Sequence, residues 1–139
     1  MKKLTLIVLL SCSFATPASW SADFNKGVTA YQAGNYKAAL AEWRPLAQAG
    51  NARAQNFLGF MYDNGEGVLE DDLEAVKWYR LAAEQGNPKA QYGLGVMFAN
   101  GEGVTQSNVY AHMWWNIAAS NGDRQANENK AVIASQMTA

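Results

Sequence analysis

Asn64-Gly65-Glu66-Gly67-Val68 occurs again as Asn100-Gly101-Glu102-Gly103-Val104, and the place of this pair in the chain decides the fold. A Gly-x-Gly segment can open a phosphate-cradling loop or join two helices. The nucleotide fingerprint follows a strand, carries a third glycine, or ends in Lys-Ser or Lys-Thr. Neither copy has the third glycine or the Lys-Ser/Thr. Each follows a helical pattern: Ala54, Leu58, Met61 and Tyr62 fall at i, i+4, i+7 and i+8, one stripe of a helix. NGEGV therefore reads as a hinge, with Gly65 and Gly101 expected at positive φ just past helix ends.

The segment is written twice because a larger unit is. Gly50, Gly86 and Gly122 stand 36 residues apart, and the same offset carries Ala54 onto Ala90, Gln55 onto Gln91, Leu58 onto Leu94 and Gly59 onto Gly95. It also carries Ala75 onto Ala111, Trp78 onto Trp114 and Ala82-Ala83 onto Ala118-Ala119. A fixed period of this size marks stacked supersecondary units. Ala75, Tyr79, Ala82 and Ala83 form the stripe of a second helix. Asp71 and Ser107 are placed as its N-caps, Asp71 with Glu74 as an approximate capping box. Gly86-Asn87-Pro88 ends one helix and starts the next. Upstream, Asp23–Ala33 and Tyr36–Ala49 read as a degenerate unit with a shortened loop; downstream, Asp123 to about Met137 reads as a cap. The expected division is a repeat domain over 23–139, with units 23–49, 50–85 and 86–121 and a capping helix over 122–139.

AQNFLGFMYDNGEGV with AVKWYRLAAEQG, and AQYGLGVMFANGEGV with AHMWWNIAASNGD, resemble the Sel1-like repeat; AYQAGNYKAALAEW is closer to a tetratricopeptide repeat. The resemblance implies an all-α, right-handed α/α solenoid of about three helical hairpins with a C-terminal capping helix. It also implies binding of other proteins, although fold alone does not fix function. Cysteine-rich relatives carry a disulfide in each repeat and have been linked to β-lactams. This chain has no cysteine in any repeat, so that activity is not carried over.

The first 22 residues, MKKLTLIVLLSCSFATPASWSA, read as a signal peptide: Lys2 and Lys3, an apolar run over Leu4–Leu10, then small residues with Pro17 before a cut near Ser21 or Ala22. The run is shorter than the roughly 18 residues that cross a bilayer. The single cysteine, Cys12, follows a loose lipobox, which leaves open a lipid-anchored form. The expected location is periplasmic or secreted. Without Lys2 and Lys3, nine of the 11 basic residues face 12 acidic ones. That balance argues against nucleic acid and against anionic membrane surfaces. A monomer without membrane insertion is expected after cleavage.

Chemistry is sparse. His112 is the only histidine, with no second His or Cys to make a zinc site. Glu66, Glu70, Asp71, Asp72 and Glu74 lack EF-hand spacing, and carboxylates are favourable at a helix N-terminus in their own right. Neither cofactor nor metal is expected. Trp43, Trp78 and Trp114 recur near one helical phase and read as filling between units; either Trp114 or Trp115 is expected to be partly exposed.

The sharper signal is where the copies differ. Positions 53, 56, 57, 60 and 63 make a second stripe on the first helix. Arg53, Asn56, Phe57 and Phe60, with Lys89, Tyr92 and Val96 from the other copy, form the candidate protein-binding residues of the concave face. The same residues would also suit packing against the previous unit. The expected function is an exported, non-catalytic module that binds an unidentified protein or peptide as an adaptor in the bacterial envelope. The alternatives are an envelope enzyme acting on cell-wall material and a lipoprotein adaptor anchored through Cys12.

Overall fold

The computed structural model describes residues 22–137, so Cys12 and the apolar run of the leader lie outside the described residues. Among the described residues the chain forms α1 (Phe24–Gln32), α2 (Tyr36–Gln48), α3 (Ala52–Asn64), α4 (Asp72–Glu84), α5 (Pro88–Asn100), α6 (Asn108–Ser120) and α7 (Arg124–Met137). Each helix packs on the next, giving the hairpins α1–α2, α3–α4 and α5–α6 with α7 laid on α6. This is an all-α repeat solenoid. Odd-numbered helices also touch across units, α3 with α5 and α5 with α7, so theirs is the inner face of the stack.

The caps follow the period. Asn51 and Asn87 accept the N–H of Ala54 and Ala90 at 3.0 Å each. Asp71 and Ser107 accept from Glu74 and Tyr110. Only one half of the expected capping box forms, because the Glu74 carboxylate turns to Lys77 and the Asp71 N–H donates to Tyr62 O. Asp123, at the position of the two asparagines, caps α7 through Ala126 N–H at 2.9 Å.

The two NGEGV loops are hinges. Gly65 and Gly101 take φ of 66° and 76°, and each donates to the carbonyl of Met61 or Met97. The second glycine has a separate task. A Cβ on Gly67 would stand 2.8 Å from Tyr36 Cβ, and one on Gly103 would stand 2.4 Å from Asp72 O. Each loop thus lies directly on the first turn of the second helix one unit back, at positions 36 residues apart. The first glycine ends the helix; the second lets the loop touch its neighbour.

Within each hairpin an aromatic ring lies on a glycine of the facing helix: Trp43 on Gly27, Tyr79 on Gly59 and Trp115 on Gly95. These rings are 0%, 4% and 5% exposed. Each removes roughly 150–250 Å² from water, worth about 4–6 kcal/mol. The indoles of Trp43 and Trp115 donate to Phe24 O and Tyr92 O, both at 3.1 Å. The expected phase of Trp43, Trp78 and Trp114 is therefore corrected. Trp78 and Trp114 are half-buried, one helical position away, and the filling residues are Trp43, Tyr79 and Trp115.

Between hairpins sit two buried glutamines. Gln55 donates to Ala47 O and Gln91 to Ala83 O, both at 3.1 Å, satisfying carbonyls at the end of the preceding second helix. Their own oxygens accept from Gln85 at 2.7 Å and from Asn121 at 2.9 Å, both just past the end of the following second helix. Each glutamine thus bonds one unit to the next with no buried group left over.

Gly95→Ala pushes a methyl into the Trp115 indole, whose nearest atom would lie 2.3 Å away. It should cost about 1–3 kcal/mol in urea unfolding, the range for overpacking; unchanged unfolding would refute the ring-on-glycine contact. Asp123 is the acid-sensitive cap. Burial raises its carboxyl pKa, but the N–H of Ala126 and the ammonium of Lys89 outweigh this and hold it below its ordinary 3.8. Its contribution is then present above pH 3.8 and is lost as pH falls through the lower folded value. Asp123→Ala should cost about 1–2 kcal/mol at pH 7, with the deficit shrinking in acid; a deficit constant from pH 7 to pH 2 would contradict the assignment.

Candidate functional site

Most of the residues that differ between the copies meet in one place. A groove of about 500 Å³ opens on the inner face between α3 and α5, lined mainly by apolar surface. Asn56, Phe57, Phe60, Lys89, Tyr92 and Val96 line it. Arg53 does not; its guanidinium lies over the ring of Phe24, 4.2 Å from the centroid.

The two uses considered for this stripe divide among its members. Phe57 stacks on Trp43 of the preceding hairpin with centroids 4.3 Å apart, and Tyr92 lies 6.5 Å from Trp115 within its own hairpin, so the first joins two units and the second fills one, each while keeping an edge in the groove. Val96 packs with the Trp115 cluster. Phe60 is 40% exposed and belongs to no core cluster. Lys89 is occupied: its Nζ lies 2.9 Å from Oδ2 of Asp123, whose side chain is fully buried.

Asp63, the last position of the stripe, lines the groove from the last turn of α3. Further lining residues come from outside the stripe: Tyr31 enters from α1, Tyr79 from α4 and Gln125 from α7. The Tyr79 hydroxyl donates to Asp63 Oδ2 at 3.3 Å, and Tyr31 donates to Glu66 Oε2 at 2.6 Å. Burial, then the charge and hydrogen bond of Asp63, push the Tyr79 hydroxyl pKa above its ordinary value; burial, then Glu66, do the same for Tyr31. Both hydroxyls are thus held as neutral donors. Asp63 is raised as well, chiefly by burial and further by the charges of Glu102, Asp72 and Glu70, against the lowering hydrogen bond from Tyr79.

Among the described residues no group of three or more His, Cys, Asp or Glu is arranged to hold a metal ion, and no helix is long and apolar enough to cross a membrane. His112 is half-buried on α6, away from the groove.

The raised Asp63 pKa sets a sign. The folded state holds this proton more tightly than the unfolded chain, whose value is near 3.8, so the ionised group lowers stability as pH rises through its folded value. Asp63→Asn keeps an acceptor for Tyr79 and removes the charge. It should raise the Tm slightly at pH 7, with the gain vanishing below about pH 4; a lower Tm at neutral pH would show the carboxylate to be structural.

Comparison with known proteins agrees with the geometry. The Sel1 repeat family model matches residues 52–87 and 88–123, more than half of the chain. A crystal structure of a Sel1 repeat protein from Oxalobacter formigenes is 32% identical, with a TM-score of 0.77 over 82% of this chain and 47% of that one. The protein c5321, a protective antigen present in uropathogenic Escherichia coli strains and displaying an SLR fold, is 33% identical, with a TM-score of 0.72 over 78% of this chain and 25% of that one. The chain thus spans about half the length of the first and a quarter of the second. Helicobacter pylori cysteine rich protein B, at 21% identity and a TM-score of 0.59 over 75% of this chain and 89% of that one, shares the fold. A search of curated proteins finds no match. The family's repeats are in general protein-interaction modules. By the repeat model, the paired hinges and the solved structures that superpose on it, the chain belongs to the Sel1 repeat family.

Proposed function

We propose that this protein is an exported adaptor of the bacterial cell envelope that holds a peptide or protein segment in its inner groove, without catalysis. The observation that carries this reading is Phe60, a large apolar side chain 40% exposed on the inner face, in a groove built from residues the repeat does not specify. A repeat that only stacks has no need of aromatic surface there. Apolar surface in a groove rimmed by polar groups is what a bound segment covers. Export is supported by the charged, apolar and small-residue order of the first 22 residues, with a periplasmic or secreted location. Lipid anchoring through Cys12 is the variant form of the same reading.

Capture from envelope extract should be specific to the folded protein and lost in Phe60→Ser, whose melt should stay within about 0.5 kcal/mol of wild type, as for other surface changes. An anchor of this kind typically contributes about 2 kcal/mol or more to binding. Capture unaffected by Phe60→Ser would move the partner to another face. Mass spectrometry of the exported protein should find an unmodified N-terminus between residues 16 and 23; a diacylglyceryl mass on Cys12 would replace this with the lipid-anchored form.

A further inference from the structure

We infer that the groove selects a basic side chain, a lysine ammonium or an arginine guanidinium, set beside an apolar residue on the bound peptide, with Asp63 as its counterion. This rests on the peptide-binding reading above and names what that site recognises.

The argument begins with a position the fold leaves free. One turn after the glycine that seats the aromatic ring in each hairpin stand Tyr31, Asp63 and Ala99. The same backbone carries a phenol, a carboxylate and a methyl there, so packing does not call for an acid. Placing one there has a cost: Asp63 is half-buried among apolar walls, and a carboxylate taken from water is unfavourable unless it is paired. Its hydrogen-bond partner is one neutral hydroxyl, that of Tyr79 at 3.3 Å. The charges that bear on it, Glu102, Asp72 and Glu70, are all of its own sign.

The nearby cations are already in use. The ion pairs among the described residues are Lys77 with Glu74 and Lys89 with Asp123. Arg53 lies over Phe24. The groove therefore presents an uncompensated negative charge inside an apolar channel. A partner with an acidic residue there would add like charge, and a purely apolar partner would desolvate the carboxylate with nothing in return. A basic side chain supplies the missing charge. Its aliphatic stem suits the apolar walls, while Tyr31, Phe57, Phe60, Tyr79 and Tyr92 supply ring surfaces that attract cations.

The test is to pan a random heptapeptide display library against the purified protein and against its Asp63→Asn and Phe60→Ser variants. Wild type should enrich peptides carrying Lys or Arg beside aliphatic or aromatic residues. Asp63→Asn should keep the apolar enrichment and lose the basic one, and Phe60→Ser should lose both. A synthetic peptide from the wild-type pool should bind wild type roughly tenfold more weakly when norleucine replaces its basic residue, as expected for losing a charge-assisted hydrogen bond. Apolar enrichment without a basic preference, or a basic preference that survives Asp63→Asn, overturns this inference and leaves the groove reading standing. No enrichment, or enrichment indifferent to Phe60→Ser, overturns both.

Discussion

A ring lying on bare backbone sets the geometry on which the rest of the molecule depends. Where Trp43, Tyr79 and Trp115 meet Gly27, Gly59 and Gly95, the facing helix has no Cβ to hold the ring off. The two helices approach closely, and the inner groove opens beside that contact: Tyr79 lines it, next to Asp63 one turn on from Gly59. Tyr79 joins the two levels. Its ring fills the hairpin against Gly59, and its hydroxyl reaches Asp63 in the groove. A tryptophan there, as in the hairpins on either side, would leave Asp63 without that phenolic donor.

Coupling between hairpins is of a different kind. Gln55 and Gln91 bond the end of one second helix to the end of the next, and the second glycine of each hinge loop rests on the unit behind it. Both contacts reach one unit and no further, with the short range typical of a one-dimensional stack. A change in one hairpin is therefore felt mainly by its immediate neighbours. That is why the inner side chains can vary from copy to copy while the stack persists.

Much of this was legible in the sequence, for reasons that differ by residue. The 36-residue period, the hinge glycines and the asparagine caps are local and repeated, so spacing alone finds them. The phase of the core aromatics was also written in the period, since Trp43, Tyr79 and Trp115 stand 36 residues apart. Trp78 and Trp114 share that spacing with each other one position earlier, and the glycine across the hairpin shows which member of each pair is buried. The stripe from Asn56 to Val96 was visible as divergence between copies. Tyr31 was hidden because 16 residues separate Gly27 from Trp43, against 20 from Gly59 to Tyr79, so the first unit falls out of register. Arg53 read as part of the stripe, but it sits in the first turn of α3, where Phe24 of α1 is within its reach. The pairing of Lys89 with Asp123 joins residues 34 apart and left no trace in the pattern.

The succession of Tyr31, Asp63 and Ala99 along the inner helices has a consequence for direction. A perfectly repeating channel would look the same after a shift of one unit, and a chain lying in it could slip by that distance at no cost. Tyr31 and Asp63 line the groove while Ala99 offers it no group, and this inequality at the same turn removes that translational symmetry. The channel acquires a head and a tail, and a segment lying in it has one frame and one orientation in which its side chains match. The single substitution that makes the middle unit chemically distinct is also what turns a row of equivalent seats into an ordered reading frame.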